Sequence, residues 1–185
     1  MIILGLDIST SITGYCLINT EAPLGHRLLH ADGIIISQEK DTYTKSVIIR
    51  DLFVEISKKY KVDKIFVEEN LQAFRRGFSS ARTLSTLARF NGIVSYLAQD
   101  NFHAHATMLN VNSARSKVGL KVDRKNTTPI KEQILEWIKN HPDFSTYEWP
   151  TKIMKSGPRK GLEVQAKKCY DIADAAVINF AGEHF

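Results

Sequence analysis

The stretch IILGLDISTSITGYCLI, residues 2–18, decides how the rest of the chain is read. Residues 2–6 form a compact apolar run of the kind found in a strand buried on both faces, and the run stops on Asp7. SITG then supplies a turn and YCLI a second strand. Working outward, LLHADGIIIS (28–37) reads as a third strand, with Gly33 marking a bulge or a close approach. Across residues 43–60, Val47, Ile48, Leu52, Phe53 and Ile56 follow helical spacing. DKIFVEE (63–69) is another buried strand ending in carboxylates. The polar, aromatic and arginine-bearing NLQAFRRGFSS (70–80) leads into a helix over about 80–99, and HATMLNV (105–111) is a fifth strand. NSARSKVG (112–119) predicts a short helix capped by Asn112 or Ser113. TTPIKEQILEWIKN (127–140) predicts another, with Thr128 as N-cap and Pro129 at the first helical position. Three of the five prolines and many cations fall within 141–168, so a basic, partly ordered loop or insertion is expected at about 141–163. CYDIADAAVINF (169–180) is a closing helix. Three strands followed by alternating helices and strands predict an α/β domain with a mixed sheet, spanning 1–185 as one unit.

The 185 residues are 43% hydrophobic and 24% charged, values of an ordinary globular chain long enough to bury a core. The net charge of +5 is unevenly spread: residues 110–170 hold 13 Lys and Arg against 6 Asp and Glu, and the remainder holds 12 against 14. A solvated lysine-rich face gives such a bias, and so does a surface for a polyanionic partner. Cys16 and Cys169 lie in apolar surroundings without metal-ligand spacing, which points to a reducing compartment. MIILGL is too short for a signal segment and no apolar run approaches membrane-spanning length, so a cytoplasmic protein with no membrane partner is expected.

Four acids sit where acids are unexpected. Asp7 and Glu68 end buried strands, and Asp171 and Asp174 are three apart on an apolar helix, so they share one face. Each has an ordinary reading: Asp7 capping the turn after it, Glu68 facing solvent beside Glu69, Asp171 as a helix N-cap. Asp174 is the hardest to place so, being enclosed by IADAAVINF. Were all four to converge, their mutual repulsion would call for hard divalent cations, for which carboxylates are the preferred ligands. The absence of His and Cys from these positions argues against zinc.

The same residues carry a resemblance. IILGLDISTSITGYCLI, with Thr13, Gly14 and Tyr15 opening the second strand, resembles the start of the RuvC family of Holliday junction resolvases. FVEEN is similar to the family's second acidic motif and selects Glu68 over Glu69; DIADAAVI resembles its closing Asp-x-x-Asp-Ala motif. The resemblance implies the RNase H-like fold, a mixed five-stranded sheet flanked by helices. It further implies a structure-specific endonuclease that cuts four-way or branched DNA by two-metal-ion phosphodiester hydrolysis, nicking symmetrically as a homodimer. Asp7, Glu68, Asp171 and Asp174 would bind two Mg²⁺ ions, with Asp7 bridging them and Mn²⁺ able to substitute, and no nucleotide cofactor is implied. Lys117 and Lys131 would stand beside the catalytic carboxylates and hold phosphates, with Arg115, Lys121, Arg124 and Lys125 as further DNA contacts. After Glu68, Phe74 and Phe78 would stack on or wedge between unpaired bases and Arg75 and Arg76 would bind phosphates; ordinary packing under the loop is the alternative for the phenylalanines. The helix containing LARFNGIVSYLAQ would supply the dimer interface.

Departures from the family pattern mark a divergent, bacteriophage-type branch: ISTS where a Gly is common after the first Asp, a longer stretch after Glu68, and the late basic insertion. Competing readings are another RNase H-fold nuclease, a non-catalytic DNA-binding module, and an ATP-binding domain of the actin or sugar-kinase type. The last shares the fold, but its second lobe has no room in 185 residues.

Overall fold

The computed structural model describes residues 1–69 and 81–185. Strands β1 (Ile2–Asp7), β2 (Ile12–Asn19), β3 (Leu28–Ile35), β4 (Lys64–Glu68) and β5 (Ala106–Leu109) form one sheet in the order β3-β2-β1-β4-β5. The first three run as an antiparallel meander, and β4 and β5 extend the sheet from β1 in parallel. Parallel neighbours need crossovers. Helix α1 (Thr42–Ser57) joins β3 to β4, and α2 (Ala81–Phe102) precedes β5.

Both faces of the sheet are covered. The side chains of Leu4, Leu6, Tyr15, Leu17, Ile65 and Val67 enter a core closed by α1 and α2. Ile3, Cys16, Ile18 and Phe66 enter a second core with α3 (Val111–Lys117), α4 (Ile130–Lys139) and α5 (Lys168–Gly182). The two sets alternate along each strand, as the pleat requires. Because every residue from Ile3 to Leu6 is buried, β1 reads as an unbroken apolar run and not as an alternating one. Helix α5 crosses β1, β2 and β3 on this second face and is buried from Ile172 to Gly182, which explains its apolar character all round.

Local signals place most elements within a few residues. Asp41 caps α1 by accepting the Thr44 N–H. The α3 cap lies slightly earlier than the sequence predicts: Asn110 accepts the N–H groups of Asn112 and Ser113, so the helix begins at Val111. Likewise α4 starts at Ile130 with Pro129 in the cap position, and Thr128 makes no cap. Gly33 is a close approach and not a bulge, since a Cβ there would stand 2.8 Å from Lys168 Cβ; the irregularity in the β2–β3 ladder falls at Leu17/Ile18. Where composition suggests a loop, the chain forms a 3₁₀ turn (Pro142–Phe144) and a two-stranded hairpin, β6 (Thr151–Ile153) with β7 (Glu163–Gln165). Strands of three residues are too short for alternation to show in sequence. Cys16 and Cys169 are buried free thiols. Among the described residues no helix is long and apolar enough to cross a membrane.

Candidate active site

The register of the sheet brings the first two acids together. Leu6 pairs with Val67 in the parallel β1–β4 ladder, so the next residues along, Asp7 and Glu68, end adjacent strands side by side. Leu6 and Val67 point into the α1–α2 core, so by alternation Asp7 and Glu68 face α5. On the other side of β1, Asp7 pairs with Gly14. Gly14 has no Cβ because the Asp171 backbone carbonyl of α5 occupies that space, and at Gly5 a Cβ would stand 2.5 Å from the Ala175 carbonyl oxygen. The TGY segment thus seats the start of α5 directly against the strand that neighbours Asp7. Asn179 fastens the same helix further along, its Nδ2 donating to the carbonyls of Ile3 (2.8 Å) and Cys16 (2.7 Å).

Asp171 lies in the first turn of α5, not at its cap, which Lys167 occupies. Asp174 follows one turn on, buried among Ala173, Ala175 and Ala176. Burial raises all four carboxyls, and neighbouring acids add to the effect at Asp7, Glu68 and Asp171. Burial, then the charges of Glu68, Asp174 and Asp171, push the Asp7 carboxyl well above its ordinary range. Burial and Asp174 raise Glu68 to about 7. Asp171 is raised to about 6, chiefly by burial with a contribution from Asp174. Burial raises Asp174 too, against the pull of Arg115 and Lys131.

Two cations answer these charges. Arg115 Nη2 stands 3.5 Å from Asp174 Oδ1 in an ion pair, and Asp174 Oδ1 and Arg115 Nε are both buried without a hydrogen bond. Lys131, in the first turn of α4 and exposed, bears on all four carboxylates. Lys117 is set apart: its Nζ lies 5.2 Å over the Phe185 ring, beyond the opposite end of α5 from Asp171 and Asp174. The resemblance places Lys117 beside the carboxylates and Arg115 only among the DNA contacts; in the structure it is Arg115 that pairs with Asp174, two residues before Lys117 on α3. Lys121, Arg124 and Lys125 are exposed between α3 and α4. Phe74, Arg75, Arg76 and Phe78 lie outside the described residues.

Sequence reasoning passed over two supports. Asn91, buried on α2, donates to the Glu68 carbonyl (3.3 Å), and Lys45 of α1 donates to the Thr10 carbonyl in the turn after Asp7. A buried amide on an apolar helix face was the available signal for the first.

Among the described residues no three His, Cys, Asp or Glu side chains form a ready-made metal cluster. The donor set nonetheless suits a hard divalent cation. It is all carboxylate, its ionised forms are held back by burial and repulsion, and it includes a buried oxygen with no hydrogen bond.

No protein-family model and no curated protein matches the sequence. Solved structures do. RuvC of Thermus thermophilus in complex with a Holliday junction substrate matches with a TM-score of 0.66 at 16% identity, over 98% of this chain and 92% of that one. A second structure of Thermus thermophilus RuvC matches at 0.62, with the same identity and coverage. The yeast mitochondrial Holliday junction resolvase Ydc2 matches at 0.53 and 16% identity, over 97% of this chain and 76% of that one. The meander, the parallel extension and the helix laid across them make this the RNase H-like fold, in the form shared by RuvC and other Holliday junction resolvases.

Proposed function

We propose that this protein is a divalent-metal-dependent endonuclease that cuts four-way or branched DNA. The observation that carries the reading is the convergence of Asp7, Glu68, Asp171 and Asp174 on one face of the sheet, with Lys131 bearing on all of them. Asp7, Glu68, Asp171 and Asp174 would hold two Mg²⁺ ions, with Asp7 between the others and Mn²⁺ as a substitute. Bound there, the ions supply Lewis acidity and charge neutralisation to a phosphodiester.

The protein's own groups set the rest. Lys131 holds a phosphate against the site and offsets charge that develops on it. Arg115 orients Asp174. Asn91 and Gly14 fix the strand end and the helix start that carry the acids. The exposed cations between α3 and α4 bind DNA backbone. A homodimer through α2, whose Tyr96 is 63% exposed and whose Gly92 faces open space, would present two such sites for paired nicks. The buried free cysteines suit a reducing, cytoplasmic setting, with a bacteriophage source for so divergent a chain.

The test compares four-way, flap, Y-shaped and linear DNA with Mg²⁺ and Mn²⁺. Four-way and branched substrates are cut; Asp7→Asn and Asp174→Asn each lower cutting at least about 100-fold while junction binding persists. Full cutting by either variant would sink the assignment.

A further inference from the structure

We infer that the β6–β7 hairpin is a DNA-gripping arm that contacts the phosphate backbone of a duplex branch next to the cleavage site. The inference rests on the nuclease reading above and adds a binding surface to it.

The hairpin and its tip, residues 151–163, carry Lys152, Lys155, Arg159 and Lys160 against one acid, Glu163. All four cations are exposed, and none is in an ion pair or a side-chain hydrogen bond among the described residues. The one acid is already engaged, accepting a hydrogen bond from Thr151 Oγ1. A surface built only for solubility interleaves its signs; this one does not.

The tip is ordered by its own backbone. Gly161 donates to the Met154 carbonyl (2.9 Å), Met154 to Leu162 (3.0 Å), Lys160 to Gly157 (3.0 Å) and Leu162 to Arg159 (3.0 Å). Gly157 (φ 79°) and Gly161 (φ 84°) take the left-handed conformations these turns need. The cations are therefore presented on a shaped finger, with less entropy to lose on binding than a loose tail has.

The root places the finger. The Pro150 carbonyl accepts the Ala166 N–H (2.9 Å) and the Cys169 thiol (3.2 Å), Gln165 accepts from Lys139 of α4 (2.8 Å), and Trp149 stacks on Phe144. β7 ends at Gln165 and α5 begins at Lys168, so the hairpin springs from the end of α5 that bears Asp171. The paired stretch from Thr151 through Met154, closed by the backbone bonds of Met154 to Leu162 and Gly161, gives the arm a length of roughly 13 Å before its turn. Ile153 (67% exposed) and Leu162 (56%) flank the cations as apolar contact for sugar and backbone.

The experiment uses the full chain with Lys152, Lys155, Arg159 and Lys160 replaced together by Gln, and a second variant carrying only Lys155→Gln, Arg159→Gln and Lys160→Gln. Thermal melting checks folding. Binding to a fluorescent four-way junction is measured with Ca²⁺ in place of Mg²⁺ from about 50 to 200 mM salt. The expected result is affinity at least about tenfold lower at 100 mM salt. The slope of log K against log salt should become shallower by about 2–4 in the quadruple variant, and by less in the triple. Both variants folded, with the wild-type Kd and slope, would overturn the arm and leave the hairpin as a surface for a protein partner. Failure of the wild-type chain itself to bind branched DNA would instead remove the nuclease reading beneath it.

Discussion

Asp7 shows how far the site sits from electrostatic comfort. Its carboxyl, like those of Glu68, Asp171 and Asp174, is pushed up, so between about pH 4 and 7 the folded protein holds protons that the unfolded chain has released. The cluster therefore costs the metal-free fold stability as pH rises through that window. Asp7→Asn should raise the melting temperature of the metal-free protein at pH 8, by roughly 2–4 °C per kcal/mol of repulsion removed, while cutting is lost. The gain should shrink at pH 5, where Glu68 and Asp171 are largely protonated and repel Asp7 less; a lower melting temperature at pH 8 would contradict the account. Metal binding should strengthen over the same interval, as Glu68 ionises near 7, which titration calorimetry with Mn²⁺ at pH 6 and 8 can measure. The two lysines divide at this scale as well. Lys131→Ala should lower cutting about 10–100-fold and flatten the salt dependence of junction binding by about 1, whereas Lys117→Ala, whose ammonium lies over Phe185, should change cutting less than about threefold. Equal losses would erase the distinction between them.

Helix α5 holds the site together because glycines let it sink onto the strands. At Gly14 the space a side chain would fill belongs to the Asp171 carbonyl, so Gly14→Ala must lift the helix start away from Asp7. The expected cost is about 2–4 kcal/mol in stability, with cutting lost even where the protein stays folded and all four acids remain. Urea denaturation alongside the cleavage assay checks both, and wild-type behaviour would show that the contact does not position the helix. Much of this layer is legible in sequence. β1 and β4 announce themselves as apolar runs closed by acids, and Asp174 stands out because alanines surround it. The role of Gly14 is not legible, since nothing local says that a helix 157 residues later needs its space. The choice between Arg115 and Lys117 is hidden for a related reason: α3 spans seven residues, too few for periodicity to fix which side faces Asp174. The hairpin escapes because its Pro, Gly and cations mimic a loop and its strands are three residues long.

Across the whole molecule, one arginine ties distant parts of the chain. Arg27, after β2, pairs with Asp143 of the 3₁₀ turn (2.8 Å) and with Glu183 at the end of α5 (2.8 Å), and Asp143 also accepts the Gly25 N–H (2.7 Å). The Asp143 side chain is fully buried. Burial presses its carboxyl upward, but the Arg27 hydrogen bond and the Gly25 and Arg27 N–H groups outweigh it and hold the pKa below the usual range. Stability from this group is present above the ordinary carboxylate range and lost as pH falls through its depressed pKa, opposite in sign to the cluster of Asp7, Glu68, Asp171 and Asp174. Arg27→Ala should cost about 3–5 kcal/mol by leaving Asp143 unpaired, a loss that chemical denaturation near pH 7 would reveal and acid would lessen. A cost near zero at pH 7 would mean that water or a neighbour replaces the guanidinium. The seam is invisible in sequence because its members lie more than a hundred residues apart. Chain order carries one last consequence. All five strands of the main sheet precede α5, so a nascent polypeptide displays Asp7 and Glu68 for roughly 5–20 s of synthesis before Asp174 is made. A chain still on the ribosome has half of the carboxylate set, and a nuclease built on that set would be unarmed until the helix has emerged and settled over Gly14.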